Sequence, residues 1–192
     1  IGGSPATLGV SATQNGEASF HFTGSGGVLN VQGGELPRNT RRIIRVSGDG
    51  SNVVRINNDI TYQDANSMYQ IPQLIILVDG EAQIQVDSDV TNIAGLFVTR
   101  GSFSTCAQYD SALPNIHLNQ DSFCRKALTV NGAIIAGKRL LPYRTNAVTN
   151  TDYDAPAETI RLRGDILIGD YAAKQQTGNF TTIGQLELPP RF

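Results

Sequence analysis

Apolar positions along the chain fall into short runs separated by Gly, Asn and Asp, most densely in residues 73–100, QLIILVDGEAQIQVDSDVTNIAGLFVTR. Residues 74–78 form a continuous run, Ala82, Ile84 and Val86 alternate strictly with polar neighbours, and a third run occupies 93–98. Between them lie only Asp79-Gly80 and Asp87-Ser88-Asp89. Gly accepts positive φ without penalty, and Asp and Ser side chains bond their own backbone, so both breaks read as corners. The stretch predicts strand, corner, strand, corner, strand.

The same pattern recurs. Setting SGDGSNVVRINNDI (47–60) under LVDGEAQIQVDSDV (77–90) places Val54 on Ile84, Ile56 on Val86, Asp59 on Asp89 and Ile60 on Val90, at a constant spacing of thirty residues. A weaker echo is VNGAIIAGKRLL (130–141), with Asn131-Gly132 standing for the Asp-Gly corner. Self-similarity at a fixed period predicts stacked units that bury their faces only against one another. The expected fold is therefore all-β, a short right-handed parallel β-helix (β-solenoid) around a column of Val, Ile and Leu. An antiparallel β-sandwich fits the composition nearly as well. The scarcity of two-residue hairpin turns favours the β-solenoid.

Around this repeat the organisation reads in two parts. Residues 1–40 are a flexible, Gly-rich N-terminal arm with edge strands, and residues 41–192 are a single solenoid-like domain. The arm packs on its own domain or serves as an exchange strand for a second copy. Residues 101–126 are polar, carry both cysteines and lack the rhythm, so they read as a surface excursion. Alternation resumes at Ile160, Leu162, Ile166 and Ile168, and the closing QLELPPRF is extended because its prolines exclude a helix.

Composition narrows the function classes. At 192 residues the chain suits one domain, and with 40% hydrophobic residues but no apolar run near eighteen it predicts no membrane-spanning helix. Charged residues are 17% and the net charge is -2, which gives no basic footprint for nucleic acid. The chain begins at Ile1 without an apolar leader, so a leader has been removed or the chain was cut. Cys106 and Cys124 flank the irregular segment, where a covalent clip is most useful; a disulfide there would contribute about 3 kcal/mol and imply an oxidising, extracytoplasmic compartment. Two cysteines and the distant His21 and His117 lack zinc-site spacing, so neither metal nor cofactor is expected.

Several phrases together carry a resemblance: IPQLIILVDGEAQIQVDSDVTNIAGLFVTR, the Cys-bearing segment, LTVNGAIIAGKRLLPYRT, APAETIRLRGDILIG and the closing ELPPRF. Over residues 43–192 the chain resembles the uncharacterised secreted surface proteins of ultrasmall candidate-phyla-radiation (Patescibacteria, Saccharibacteria-type) bacteria. The resemblance implies export, a cell-surface location and a strand-rich fold, with no catalytic residues to carry over.

Candidate chemistry is sparse. Asp49, Asp59, Asp79, Asp87 and Asp89 recur at corners, where they cap turns or, lined up on one ridge, would supply the paired acids of a polysaccharide hydrolase or lyase. Asp59, Asp87 and Asp89 also offer oxygen ligands for Ca²⁺, without the loop spacing of a strong calcium motif. No nucleophile elbow or phosphate-binding loop is present. Arg163-Gly164-Asp165 reads as a turn rather than an adhesion motif, and Asn179 opens a glycosylation sequon. Phe103, Tyr109 and Phe123 in the excursion are candidate stacking platforms for a surface glycan. The leading expectation is a non-enzymatic, extracellular structural protein that forms a homo-oligomer or polymer by β stacking or strand exchange. A glycan-binding adhesin module is the alternative, and a polysaccharide lyase or hydrolase comes third.

Overall fold

The computed structural model describes residues 6–10, 16–107, 124–145 and 156–164. In chain order the strands are β1 (Ala6–Gly9), β2 (Gly16–His21), β3 (Val28–Gln32), β4 (Gly34–Leu36), β5 (Arg41–Ser47), β6 (Val53–Ile56) and β7 (Ile60–Tyr62). They continue with β8 (Gln73–Val78), β9 (Gln83–Asp87), β10 (Asn92–Thr99), β11 (Ser102–Ala107), β12 (Leu128–Ala136), β13 (Arg139–Leu141) and β14 (Glu158–Arg161). Among the described residues there is no α-helix, only a single 3-10 turn at Met68–Gln70, and so no helix long and apolar enough to cross a membrane.

The strands form two sheets. One runs β1-β3-β6-β9-β11-β13 and the other β14-β12-β10-β8-β5-β2, with β4 and β7 attached beside β10. Every ladder among the described residues is parallel. The protein is thus all-β with parallel sheets, and the antiparallel pairing of the alternative expectation is absent from these ladders. The three runs in residues 73–100 become β8, β9 and β10, and the chain leaves one sheet for the other at Asp79-Gly80 and returns at Asp87-Ser88-Asp89. Strands from the Gly-rich first forty residues join both sheets, β1 and β3 in one and β2 and β4 in the other.

Register turns the sequence repeat into stacked side chains. Val54 lies beside Ile84 and Ile56 beside Val86, the pairs the thirty-residue spacing predicts. In the other sheet the spacing widens, so Ile60 stacks on Ile93 rather than on Val90. Continuous apolar rows result: Leu29, Val54, Ile84, Phe103 and Leu140 in one sheet, and Ile44, Ile76, Phe97 and Ile134 in the other. Of these, Leu29, Val54, Ile84, Phe103, Ile44, Ile76 and Phe97 are fully buried, each contributing about 1.5–3 kcal/mol of transfer free energy. Corners stack as tightly as strands: a Cβ on Gly80 would lie 1.8 Å from the carbonyl oxygen of Gly48.

Two expectations are corrected here. Asn131-Gly132 is no corner; both residues lie inside β12, where Gly132 pairs with Gly95 so closely that a Cβ would meet the Gly95 oxygen at 1.8 Å. The polar start of the 101–126 excursion is also regular. Residues 102–107 form β11 between β9 and β13, and their hydroxyls find local partners: Ser104 Oγ donates to the Cys106 carbonyl at 2.8 Å and Thr105 Oγ1 to that of Leu141 at 3.1 Å. Once satisfied in this way, hydroxyls can occupy a buried strand.

Candidate functional site

Stacked corners after β3, β6 and β9 bring Asp59 and Asp89 to one groove, with Asp87 at the end of β9 beside them. Gly33, Gly34, Asn57, Asn58, Asp59, Asp89 and Val90 line an open groove of about 490 Å³. Its floor is made by corner residues, because Asn, Asp and Gly are the types that turn a chain between sheets. Asp59 is engaged as a clamp to the next corner: Oδ1 accepts from the Thr91 and Asn92 amides at 2.7 and 3.1 Å, and Oδ2 from Thr91 Oγ1 at 2.9 Å. Asp87 accepts from the Asp89 amide at 3.1 Å and from Ser88 Oγ, and Asp89 pairs with Lys126 Nζ at 2.7 Å.

The three carboxylates named for Ca²⁺ therefore serve separate hydrogen-bond sets. Among the described residues no three His, Cys, Asp or Glu side chains converge as metal ligands. Asp49 caps its own corner, accepting from the Ser51 amide and hydroxyl and from Asn52 Nδ2, which holds its carboxyl below the ordinary value, the Ser51 hydroxyl being the largest cause. Asn52, buried, also accepts from the Gly27 amide at 2.8 Å and so ties two stacked corners together. Asp79 is exposed at the corner after β8. His21 is exposed and bonded to Ser47 Oγ, with no nucleophile motif beside it.

Beyond the groove, residues 124–145 are fastened by the disulfide that the sequence predicts and by an arginine clasp that it does not announce. Cys106 and Cys124 are joined in a disulfide with Cα atoms 5.9 Å apart. Beside it Arg144, 6% exposed, donates from Nε to the Thr105 carbonyl, from Nη1 to that of Ser88 and from Nη2 to that of Asp87, each at 2.7 Å. Its backbone amide donates to Glu158 Oε1 at 2.9 Å. Burial pushes the guanidinium below its ordinary value, while Glu158, Asp87, Asp89 and Asp59 act in the opposite sense. The only signal in sequence is an Arg placed after an apolar run and before a turn-rich segment, which resembles any solvated cation.

Phe103 is not a stacking platform for a ligand. It is fully buried on β11 and packs edge-to-face on Phe97, with ring centroids 5.9 Å apart, because strand alternation turns it inward onto the Ile84 row. Tyr109, Phe123, His117, Asp165 and the Asn179 sequon lie outside the described residues. The groove and its carboxylates thus provide turn stabilisation, and the clasp provides attachment.

Among the described residues, the ends of the sheets are the remaining feature with chemistry to offer. Among the described residues β13 and β14 are the last strands at one end and β1 and β2 at the other. Leu140 continues the buried row through Phe103, and Ile160 continues the row of Ile60, Ile93 and Val130, yet they are 45% and 50% exposed. No family model, no curated protein and no solved structure matches the chain.

Proposed function

We propose that the two sheets are walls of a right-handed β-solenoid and that the chain is a non-enzymatic, exported structural subunit, assembling end to end into a cell-surface fibre or layer. The observation that carries the reading is the end of the core rows: Leu140 and Ile160 point along rows that are fully buried one rung earlier, at Phe103 and, 2% exposed, at Val130. Leaving each about half exposed forgoes roughly 1 kcal/mol of transfer free energy, which a further rung would recover. At the opposite end Leu8 on β1 and Phe20 on β2 pack on the same core and likewise end parallel sheets.

Two different ends that mate head to tail make a heterologous contact, which generates open filaments when it does not close. Parallel strands joined through a crossover in the other sheet, as β8 and β10 are through β9, take the right-handed path in about 98% of cases. The Cys106–Cys124 disulfide supports an oxidising, extracellular location. The same reading includes the resemblance of residues 43–192 to exported surface proteins of candidate-phyla-radiation bacteria.

Sedimentation of the purified chain over a concentration series tests the proposal, with Leu140→Glu/Ile160→Glu as the comparison. The expected result is concentration-dependent growth that the double variant abolishes while its circular dichroism stays that of a β protein. Assembly that survives both charges would contradict end-to-end stacking through this edge.

A further inference from the structure

Residues 143–145 are held to both half-cystines at once. Arg144 Nε donates to the carbonyl of Thr105, the residue before Cys106, at 2.7 Å, and the Tyr143 amide donates to Thr105 Oγ1 at 2.9 Å. On the other side the Thr145 amide donates to the carbonyl of Cys124 itself at 2.7 Å, and Thr145 Oγ1 to the same oxygen at 3.3 Å. The Cys106–Cys124 bond thus fixes the distance between two acceptor sets that one short segment bridges. Thr105 Oγ1 also shares its proton between the Leu141 carbonyl and Glu158 Oε1, and the same Glu158 oxygen accepts from the Arg144 amide at 2.9 Å. Leu141 closes β13 and Glu158 opens β14, so both end strands meet at this one junction.

Away from the junction those strands are held lightly. β12 runs in register with β10 over eight residues and buries Leu128 and Val130, whereas β13 pairs with β11 over three residues and β14 with β12 over four. No residue of β13 or β14 is buried. Segments with short ladders and little burial open locally before the rest of a fold does. Cys106 and Cys124, by contrast, are only 0 and 2% exposed. A thiolate must reach a sulfur atom to break a disulfide, so attack on this one requires a local opening beside it.

We propose that the disulfide and Arg144 form a redox-sensitive latch, and that the edge made by β13 and β14 is complete only in the oxidised chain. A dithiol opens it: one thiolate attacks a cystine sulfur and breaks the S–S bond, and the second thiol resolves the mixed disulfide. Two electrons and two protons pass to Cys106 and Cys124 while the dithiol closes to its own disulfide. The consequence for assembly, that only the oxidised chain grows, rests on the stacking reading. Hydrogen exchange before and after dithiothreitol, with Cys106→Ala/Cys124→Ala alongside, tests the latch without any assembly. With the bond absent, the amides of Tyr143, Arg144 and Thr145 are expected to exchange on the order of a hundredfold faster, the equilibrium factor for closing a loop of this length. Those of Val53 and Gln83, bonded to the Gly27 and Asn52 carbonyls beside the six-stranded sheet, keep their rates. Arg144→Lys, with the disulfide intact, is expected to be reduced about tenfold faster than wild type, since an ammonium cannot hold the three carbonyls. Unchanged exchange at residues 143–145, an equal rise at Val53 and Gln83, or a reduction rate indifferent to Arg144→Lys overturns the latch. Sedimentation of the oxidised and reduced chains then reads assembly. Growth of the oxidised chain alone is expected, and equal growth of both overturns redox control; an oxidised chain that does not grow counts against stacking, with the latch decided by exchange.

Discussion

Arg144 spends its charge on backbone rather than on a carboxylate. Its three 2.7 Å bonds go to the carbonyls of Asp87, Ser88 and Thr105, the first of which also accepts from the Val90 amide at 3.2 Å. Arg144→Ala is expected to cost about 3 kcal/mol in denaturant unfolding, the range for losing charged hydrogen bonds and orphaning buried acceptors. Arg144→Lys should recover only part of it, because an ammonium cannot reproduce the planar fork. Asp49 gives a residue-scale pH prediction. Its carboxyl is held below the ordinary value in the fold, so the native state binds fewer protons than the unfolded chain there. Its stabilisation is complete above the unfolded value and is lost as pH falls through the folded one. Asp49→Asn should flatten the acid limb of a stability profile below about pH 4, measured by thermal unfolding at each pH. At this scale the sequence was a partial guide. Asp corners were legible because Asp, Gly and Asn act locally, whereas Phe103 owes its burial to Ile84 and Leu140 on the flanking strands and Arg144 to carbonyls far along the chain such as that of Ser88.

At the scale of elements, local pattern predicted β8, β9 and β10, since alternation and turn residues coincide within thirty residues of chain. The Val54–Ile84 and Ile56–Val86 pairs followed from the repeat for the same reason. The pattern misjudged Asn131-Gly132, because a Gly that turns a chain and a Gly that lets two strands approach are the same letter. Gly132→Val tests the second role. The new side chain meets the Gly95 carbonyl, and the expected outcome is a loss of about 2–3 kcal/mol in thermal unfolding, in the range for overpacking, with no change in a neighbouring control such as Thr129→Val. A neutral Gly132→Val would mean that β10 and β12 are not packed as described. β11 was hidden in a polar run for a related reason: Ser104 and Thr105 are bonded to carbonyls and to Glu158, which sequence spacing does not reveal. Nor could it separate the two faces of QLIILV, where inward Leu74, Ile76 and Val78 and outward Ile75 and Leu77 are chemically alike.

For the whole molecule, the balance lies between scaffold and site. The carboxylates of Asp49, Asp59 and Asp87 are committed to amides and hydroxyls, that of Asp89 to Lys126, the buried Arg144 holds backbone, and the disulfide fastens residues 124–145 to β11. Among the described residues, the ends of the interior rows at Leu140 and Ile160 are left about half exposed. On the proposed stacking, a further copy of the chain would cover both. Electron microscopy of purified native material, with a power spectrum computed along any filament axis, tests the central claim most directly. The account predicts filaments with an axial layer line near 4.8 Å, the spacing of stacked parallel strands, continuing across subunit junctions. Monodisperse single subunits, with no filament at any concentration, would contradict it.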